Sequence, residues 1–378
     1  LGQLTHLGRL ELSDNHLTTV PKELGALRAL TMLDLHRNQL THIPKELSAL
    51  KALTALDLSQ NQLATVPMEL WELTGLRKLA LDSNKLTEVP KELGNLKALT
   101  DLGLSNNQLT TVPKELGNLK ALTQLGLGNQ LTAVPEELWE LKALTCLSLS
   151  NNLLTSVPKE IGVLTALKDL WLVDNRLSAV PNEIGALRNL KALWLGGNQL
   201  TAVPEELGEL KALKMLDLCN NQIAVLPKEL GAIIALKQLS LSNNQLKAVP
   251  KELGGLKNLT SLDLGDNQLT EVPREIGELG ALMDLSLNNN RLTALPKEMG
   301  ALRALQNLHL EGNRLRALPK ELLKLESLMN LSLHDNPELG TPAEVLGATR
   351  DESGQLELKD NAKPAEILAF YFGRGAVQ

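Results

Sequence analysis

The sequence predicts an α/β repeat solenoid. A parallel β-sheet should line its concave side and short helical or 3₁₀ segments its convex side, over about 15 turns. Three observations carry this. Asparagine recurs at fifteen positions from Asn15 to Asn336, every 23 residues except for one step of 22, Asn107 to Asn129. A proline follows each asparagine by six residues, from Pro21 to Pro342. The chain is 43% hydrophobic but only 2% aromatic, so its core must be aliphatic. A length of 378 residues would ordinarily suggest two or three domains. A repeat removes that expectation, because each unit buries its apolar face only against its neighbours.

The elements follow in order along each repeat. Aliphatic residues fill fixed positions; around Asn38 they are Leu27, Leu30, Leu33, Leu35, Leu40, Ile43 and Leu47. The alternation of Leu33 and Leu35 predicts a short strand with one face buried. The asparagine amide has donors and an acceptor suited to the buried loop backbone of neighbouring turns, which makes it structural. Proline then fixes φ where the chain turns outward. The outer segment, such as Pro21–Leu27, reads as a helical or 3₁₀ turn. Its glutamates, from Glu23 to Glu321, are interleaved with basic residues such as Lys22, Lys45, Arg28 and Lys51. That pattern predicts a solvated, self-neutralising face. Trp71 and Trp139 replace the usual glycine on this side and are expected to serve packing.

The solenoid should occupy residues 1–342 and a capping segment residues 343–378. Within the cap, Gly347–Lys363 reads as polar loop, and Pro364 opens a short helix over 364–372. Its Phe370, Tyr371 and Phe372 are expected to cover the core of the last repeat. At the other end, Leu1-Gly2-Gln3-Leu4 matches the tail of a repeat, as in Leu93–Leu96. The expectation is a chain cut from a longer protein.

Leu30–Leu40, LTMLDLHRNQL, matches LxxLxLxxNxL, and the chain resembles the leucine-rich repeat family over essentially residues 1–342. The continuation VPKELGxLxxL at Val20–Leu30 is similar to the 23-residue subtype of intracellular Ras-associated, scribble-type and Roco-type proteins. The tail, through Asn336-Pro337 and Ala365–Phe370, resembles a Roco-type cap. The resemblance implies a horseshoe-shaped scaffold that binds proteins on its concave face, in the cytoplasm.

Other classes are disfavoured by what the chain lacks. A net charge of −6 argues against nucleic acid. No apolar run approaches the roughly 18 residues a membrane span needs. No GxxxxGK[ST], HExxH, GxSxG or CxxC occurs, so neither an enzyme nor a cofactor or metal is expected. Cys146 and Cys219 read as single surface substitutions. His309 and His334, near Glu311 and Asp335, read as polar decoration.

Residues flanking the strand leucines point away from the core and should line the concave face. Fourteen acidic and seven basic residues fall there, which predicts a protein or peptide partner of basic or mixed charge. Trp171 and Trp194 hold the same strand position in consecutive repeats. With Asp169, Val173, Arg176, Met215 and Asp217 around them, they read as an interface hot spot. Gln124, Gly126 and Gly128 in the short repeat, beside Gly103, should leave a bare patch that a partner loop could approach, with curvature locally perturbed. The leading function is therefore a non-catalytic interaction scaffold. Two alternatives stand beside it. One is the sensing arm of a larger signalling enzyme, such as a Roco-type GTPase or a ubiquitin ligase. The other is a designed consensus array.

Overall fold

A three-residue strand can turn only one side chain inward, so each repeat of this protein commits a single strand leucine to the core. The computed structural model describes residues 3–340, 343–346, 348–350, 356–358 and 363–373. The chain divides into two compact units, Leu1–Leu177 and Ser178–Gln378.

The first unit holds eight strands: β1 (Arg9–Glu11), β2 (Met32–Asp34), β3 (Ala55–Asp57), β4 (Lys78–Ala80), β5 (Asp101–Gly103), β6 (Gln124–Gly126), β7 (Cys146–Ser148) and β8 (Asp169–Trp171). They pair in parallel, with Leu10, Leu33, Leu56, Leu79, Leu102, Leu125, Leu147 and Leu170 in one register line. The second unit repeats the plan in β9 (Ala192–Trp194), β10 (Met215–Asp217), β11 (Gln238–Ser240), β12 (Ser261–Asp263), β13 (Asp284–Ser286), β14 (Asn307–His309) and β15 (Asn330–Ser332). The inward leucines from Leu33 on are almost wholly buried, whereas Leu10, Leu12 and Leu17 of the first turn are half-buried. Each buried leucine contributes about 1.5–3 kcal/mol.

The asparagines form the expected ladder. Asn61 Nδ2 donates to Leu35 O at 3.0 Å and Leu58 O at 3.1 Å, while its Oδ1 accepts from the Leu40 N–H at 3.0 Å. Asn84 repeats this one turn later, on Leu58 O, Leu81 O and the Leu63 N–H. Leu58 O thus takes two asparagine donors. The residue before each ladder asparagine lies in the left-handed region, as at Arg37 (φ 52°), Gln60 (φ 53°) and Asp266 (φ 50°). Asn129 is the exception, since Gly128 before it has no positive φ. The 22-residue repeat has therefore lost its left-handed residue, and the strands around it keep register, with Gly103, Gly126 and Ser148 aligned. The change is confined to the turn. Gly128 is buried there instead of facing the strand side, its carbonyl accepting from the Asn106 N–H at 2.6 Å.

On the opposite side, five-residue 3₁₀ segments run from Lys22–Ala26 to Lys320–Lys324. Each opens on a proline near φ −70°, such as Pro21 at −69°, whose carbonyl accepts from the Leu24 N–H at 3.1 Å. Where the fourth position is glycine, the next segment packs so closely that a side chain is excluded there, whereas Ser48 and Leu323 hold the position in two other segments. A Cβ on Gly117 would lie 2.6 Å from the Glu137 carbonyl oxygen. Trp71 and Trp139 take this same position and are nonetheless buried, 2% and 4% exposed. Space is made by separation, because the segments Met68–Glu72 and Lys91–Asn95 stand further apart than their glycine-bearing counterparts. Lysines bridge turns to glutamates on this face, as in Lys120–Glu140 at 2.6 Å and Lys257–Glu278 at 2.7 Å. These pairs are more than half exposed and add little stability.

The tail differs from its sequence reading in two respects. The stretch read as loop holds an antiparallel pair, β16 (Ala348–Arg350) with β17 (Leu356–Leu358). The final helix, α1, spans Pro364–Gly373, one residue past the expected end. It buries Ile367 and Leu368, and the Tyr371 hydroxyl accepts from the Leu318 N–H at 3.2 Å. Covering of the last turns thus falls to the aliphatic pair and Tyr371, with the half-buried Phe372 packed edge-on against Tyr371 at 5.0 Å, while Phe370 stays exposed. None of the helices among the described residues is long and apolar enough to cross a membrane.

Candidate functional site

The two outward positions of each strand point away from the leucine core, so the face they build is where sequence variation can carry function. In the first unit the second outward position runs Asp57, Ala80, Gly103, Gly126, Ser148 along β3 to β7. Four small residues in a row leave the sheet bare. A cavity of about 360 Å³ opens over them, bounded by Met32 and Ala55 on one flank and Cys146 on the other. Its charged residues are Asp57, Asp82, Asp101 and Lys78, and Gln124 and Ser148 add neutral polar groups to the lining.

The Asp57 carboxylate is held by its own turn and the Asp82 carboxylate by the next. Asp57 Oδ1 accepts from the Ser59 N–H at 2.9 Å and from the Ser59 hydroxyl at 2.5 Å. Asp82 Oδ1 accepts from the Ser105 N–H at 2.8 Å, one turn on. A Cβ at position 103 would collide with the other Asp82 oxygen, Oδ2. Glycine at 103 is therefore what lets the Asp82 carboxylate lie across β5. Burial pushes the Asp82 pKa up from the ordinary carboxylate value, and the negative charge of Asp57 adds to this against the hydrogen bonds from Ser105.

This has a consequence for stability. A carboxyl whose folded pKa is raised contributes less as pH rises through the interval between its unfolded and folded values, because the folded state holds the proton more firmly. Asp82→Asn can keep the Ser105 bond through its Oδ1. It should therefore raise the melting temperature at pH 7, with the gain shrinking to nothing below the unfolded carboxylate pKa of about 3.9. Melting curves of both proteins from pH 3 to 8 check this; a gain independent of pH counts against it.

The two thiols are poor nucleophiles. Burial, then the charge of Asp169, raises the Cys146 pKa. Burial, then a hydrogen bond and the charge from Asp217, pushes Cys219 to about 11. Both are free cysteines. Among the described residues no three His, Cys, Asp or Glu side chains are placed to hold a metal. His309 Nδ1 lies 3.4 Å from the Ser332 hydroxyl.

The residues read as a hot spot divide between the units. Asp169 and Trp171 belong to β8 in the first unit, and Trp171 is 45% exposed. Val173, half-buried, and Arg176, exposed, follow in the same turn. In the second unit Trp194 is half-buried on β9, and Asp217 of β10 pairs with it in register, as Met215 does with Ala192. Asp217 Oδ1 accepts from the Cys219 N–H at 3.0 Å. The cavity was the part that sequence reading found only in outline, through Gly103 and Gly126. Ala55, Ala80 and Met32 complete it, and their alignment across strands is the signal that could have found them.

A leucine-rich repeat region model matches residues 90–194, and a leucine rich repeat model matches residues 5–63 and 211–269. No match was found among curated proteins. Among solved structures, a leucine-rich repeat protein of Leptospira interrogans is 41% identical, with a TM-score of 0.76 over 89% of this chain and 92% of its own. The plant peptide hormone receptor RGFR1, in complex with RGF2, is 28% identical, with a TM-score of 0.75 over 88% of this chain and 64% of that one. An internalin of Listeria monocytogenes is 25% identical, with a TM-score of 0.71 over 82% and 88%.

Proposed function

The chain belongs to the leucine-rich repeat family, and from that premise we propose that it is a non-catalytic scaffold that binds a protein or peptide on its strand face. The observation that carries the reading is that face itself. It combines an open cavity with acidic rim groups and, on β8, a large exposed tryptophan. Exposed aromatic side chains beside charges are where binding energy concentrates in protein interfaces. The plant receptor solved with RGF2 gives the same fold a peptide-binding use. A rigid ladder-bonded frame suits this role, because little freedom is left to lose on binding.

Within this proposal Asp169, Trp171, Val173 and Arg176 are contact residues of the first unit, Trp194, Met215 and Asp217 are contact residues of the second, and the partner is basic or of mixed charge. The cytoplasmic location and the affinity with Ras-associated, scribble-type and Roco-type proteins belong to the same proposal. They are supported by the 23-residue period and its VPKELG segments.

Selection of displayed peptides on the native protein supplies ligands for the test. Trp171→Ala with Trp194→Ala should weaken those ligands by about 30-fold or more, the loss of at least one hot-spot residue of about 2 kcal/mol. Titration calorimetry reads the change. Equal affinity for native and doubly substituted protein would remove both tryptophans from the contact residues.

A further inference from the structure

We propose that the cavity over β3 to β6 is a subsite for one arginine side chain of the bound segment. The inference rests on the protein-binding reading and adds to it the chemistry of one contact, at a place distinct from the tryptophans. The cavity of about 360 Å³ sits at the lower end of the range for ligand pockets, roughly 300–1,000 Å³. It has room for one long side chain and accompanying water, not for a folded element. Its floor is apolar, from Ala55, Ala80, Gly103 and Gly126. An aliphatic stem can lie there while its charged head reaches the rim.

The rim sets the sign of that head. Three carboxylates, Asp57, Asp82 and Asp101, face one cation, Lys78. Asp57 and Asp82 each spend Oδ1 on a backbone N–H of their own or the next turn. Asp82 Oδ2 lies over Gly103 on the cavity floor. A guanidinium offers several donors in a fixed fork and is weakly hydrated, so it can bridge two carboxylates at less desolvation cost than an ammonium. A bound cation also offsets the repulsion between Asp57 and Asp82, which the burial of Asp82 strengthens. An acidic or purely aliphatic side chain would leave that repulsion in place.

The test uses Nα-acetyl-arginine amide as the probe, and its citrulline counterpart, which has nearly the same shape without charge. The native chain is labelled at alanine methyls and glycine amides and titrated at millimolar probe concentrations. The expected result is a saturable shift of the Ala55 and Ala80 methyls and the Gly103 and Gly126 amides with the arginine probe. The citrulline probe should give none. Asp82→Asn should weaken the response about tenfold, the loss of one charged hydrogen bond. Ala80→Leu, which fills the floor without touching a charge, should abolish it; melting curves establish that both variants are folded. Absence of shifts with the arginine probe, or equal shifts with citrulline, overturns the proposal. Failure of the wider reading shows separately, as a strand face on which selection yields no peptide ligand, whatever the probe does in the cavity.

Discussion

Asn61→Ala should lower stability by about 2–4 kcal/mol, although it removes only one small polar side chain. The loss comes from the ladder. Asn61 gives two interior bonds, to Leu35 O and Leu58 O, and receives one from Leu40. The carbonyls keep a second donor, from Asn38 on Leu35 O and from Asn84 on Leu58 O. The Leu40 N–H keeps nothing among these groups, and an unsatisfied buried donor alone costs about 1–3 kcal/mol. Denaturant titration reads the total. Faster hydrogen exchange at the Leu40 amide localises it. Asn15→Ala is the matching control. Asn15 is exposed and bonds only Leu12 O and Ser13 O of its own turn, so its removal should be close to neutral. Equal losses at the two positions would refute the ladder account.

Trp71→Ala should cost about 3–5 kcal/mol, the usual range for emptying a buried aromatic site. The fold cannot recover the volume by simple collapse. Its two flanking 3₁₀ segments are set apart around the indole, and closing them would require movement of the turns on either side. Trp71→Phe is expected to be far milder. Nε1 of Trp71 is buried without a hydrogen-bond partner, so the smaller ring loses volume but also removes an unsatisfied donor. The reverse substitution, Gly117→Trp, should fail outright. At that turn the next glutamate backbone already fills the space. Thermal melts of the three variants give the order. If Trp71→Ala matched Trp71→Phe, the indole would not be the spacer of this turn.

The frame of this protein is legible in its sequence because every structural duty falls on a residue type with few substitutes. Asparagine is needed for the ladder, proline for the corner, and leucine for the inward strand position. Repetition then confirms each assignment many times over. The cavity is harder to read because it arises from what is missing. Ala80, Gly103 and Gly126 lie 23 residues apart and become one surface only when the strands are placed in register. That Asp82 leans across Gly103 depends on one torsion of one side chain, for which the sequence holds no periodic signal. The β16–β17 pair was missed for the opposite reason. It occurs once, and the single alternation Leu356-Glu357-Leu358 is too short to stand out from loop. Gly128 shows a third limit. Counting from the strand placed it on the outer surface of the sheet, but the missing residue drew it into the turn.

The 22-residue repeat also shows where a unit of this fold tolerates a change of length. A one-residue loss inside a strand would exchange its two faces and send Leu125 outward. Here the shortening falls in the turn, at the left-handed position, and the strands on both sides remain in phase. The turn therefore works as a spacer between reading frames of side chains. A turn one residue short leaves the strand-face pattern on either side of it unaltered.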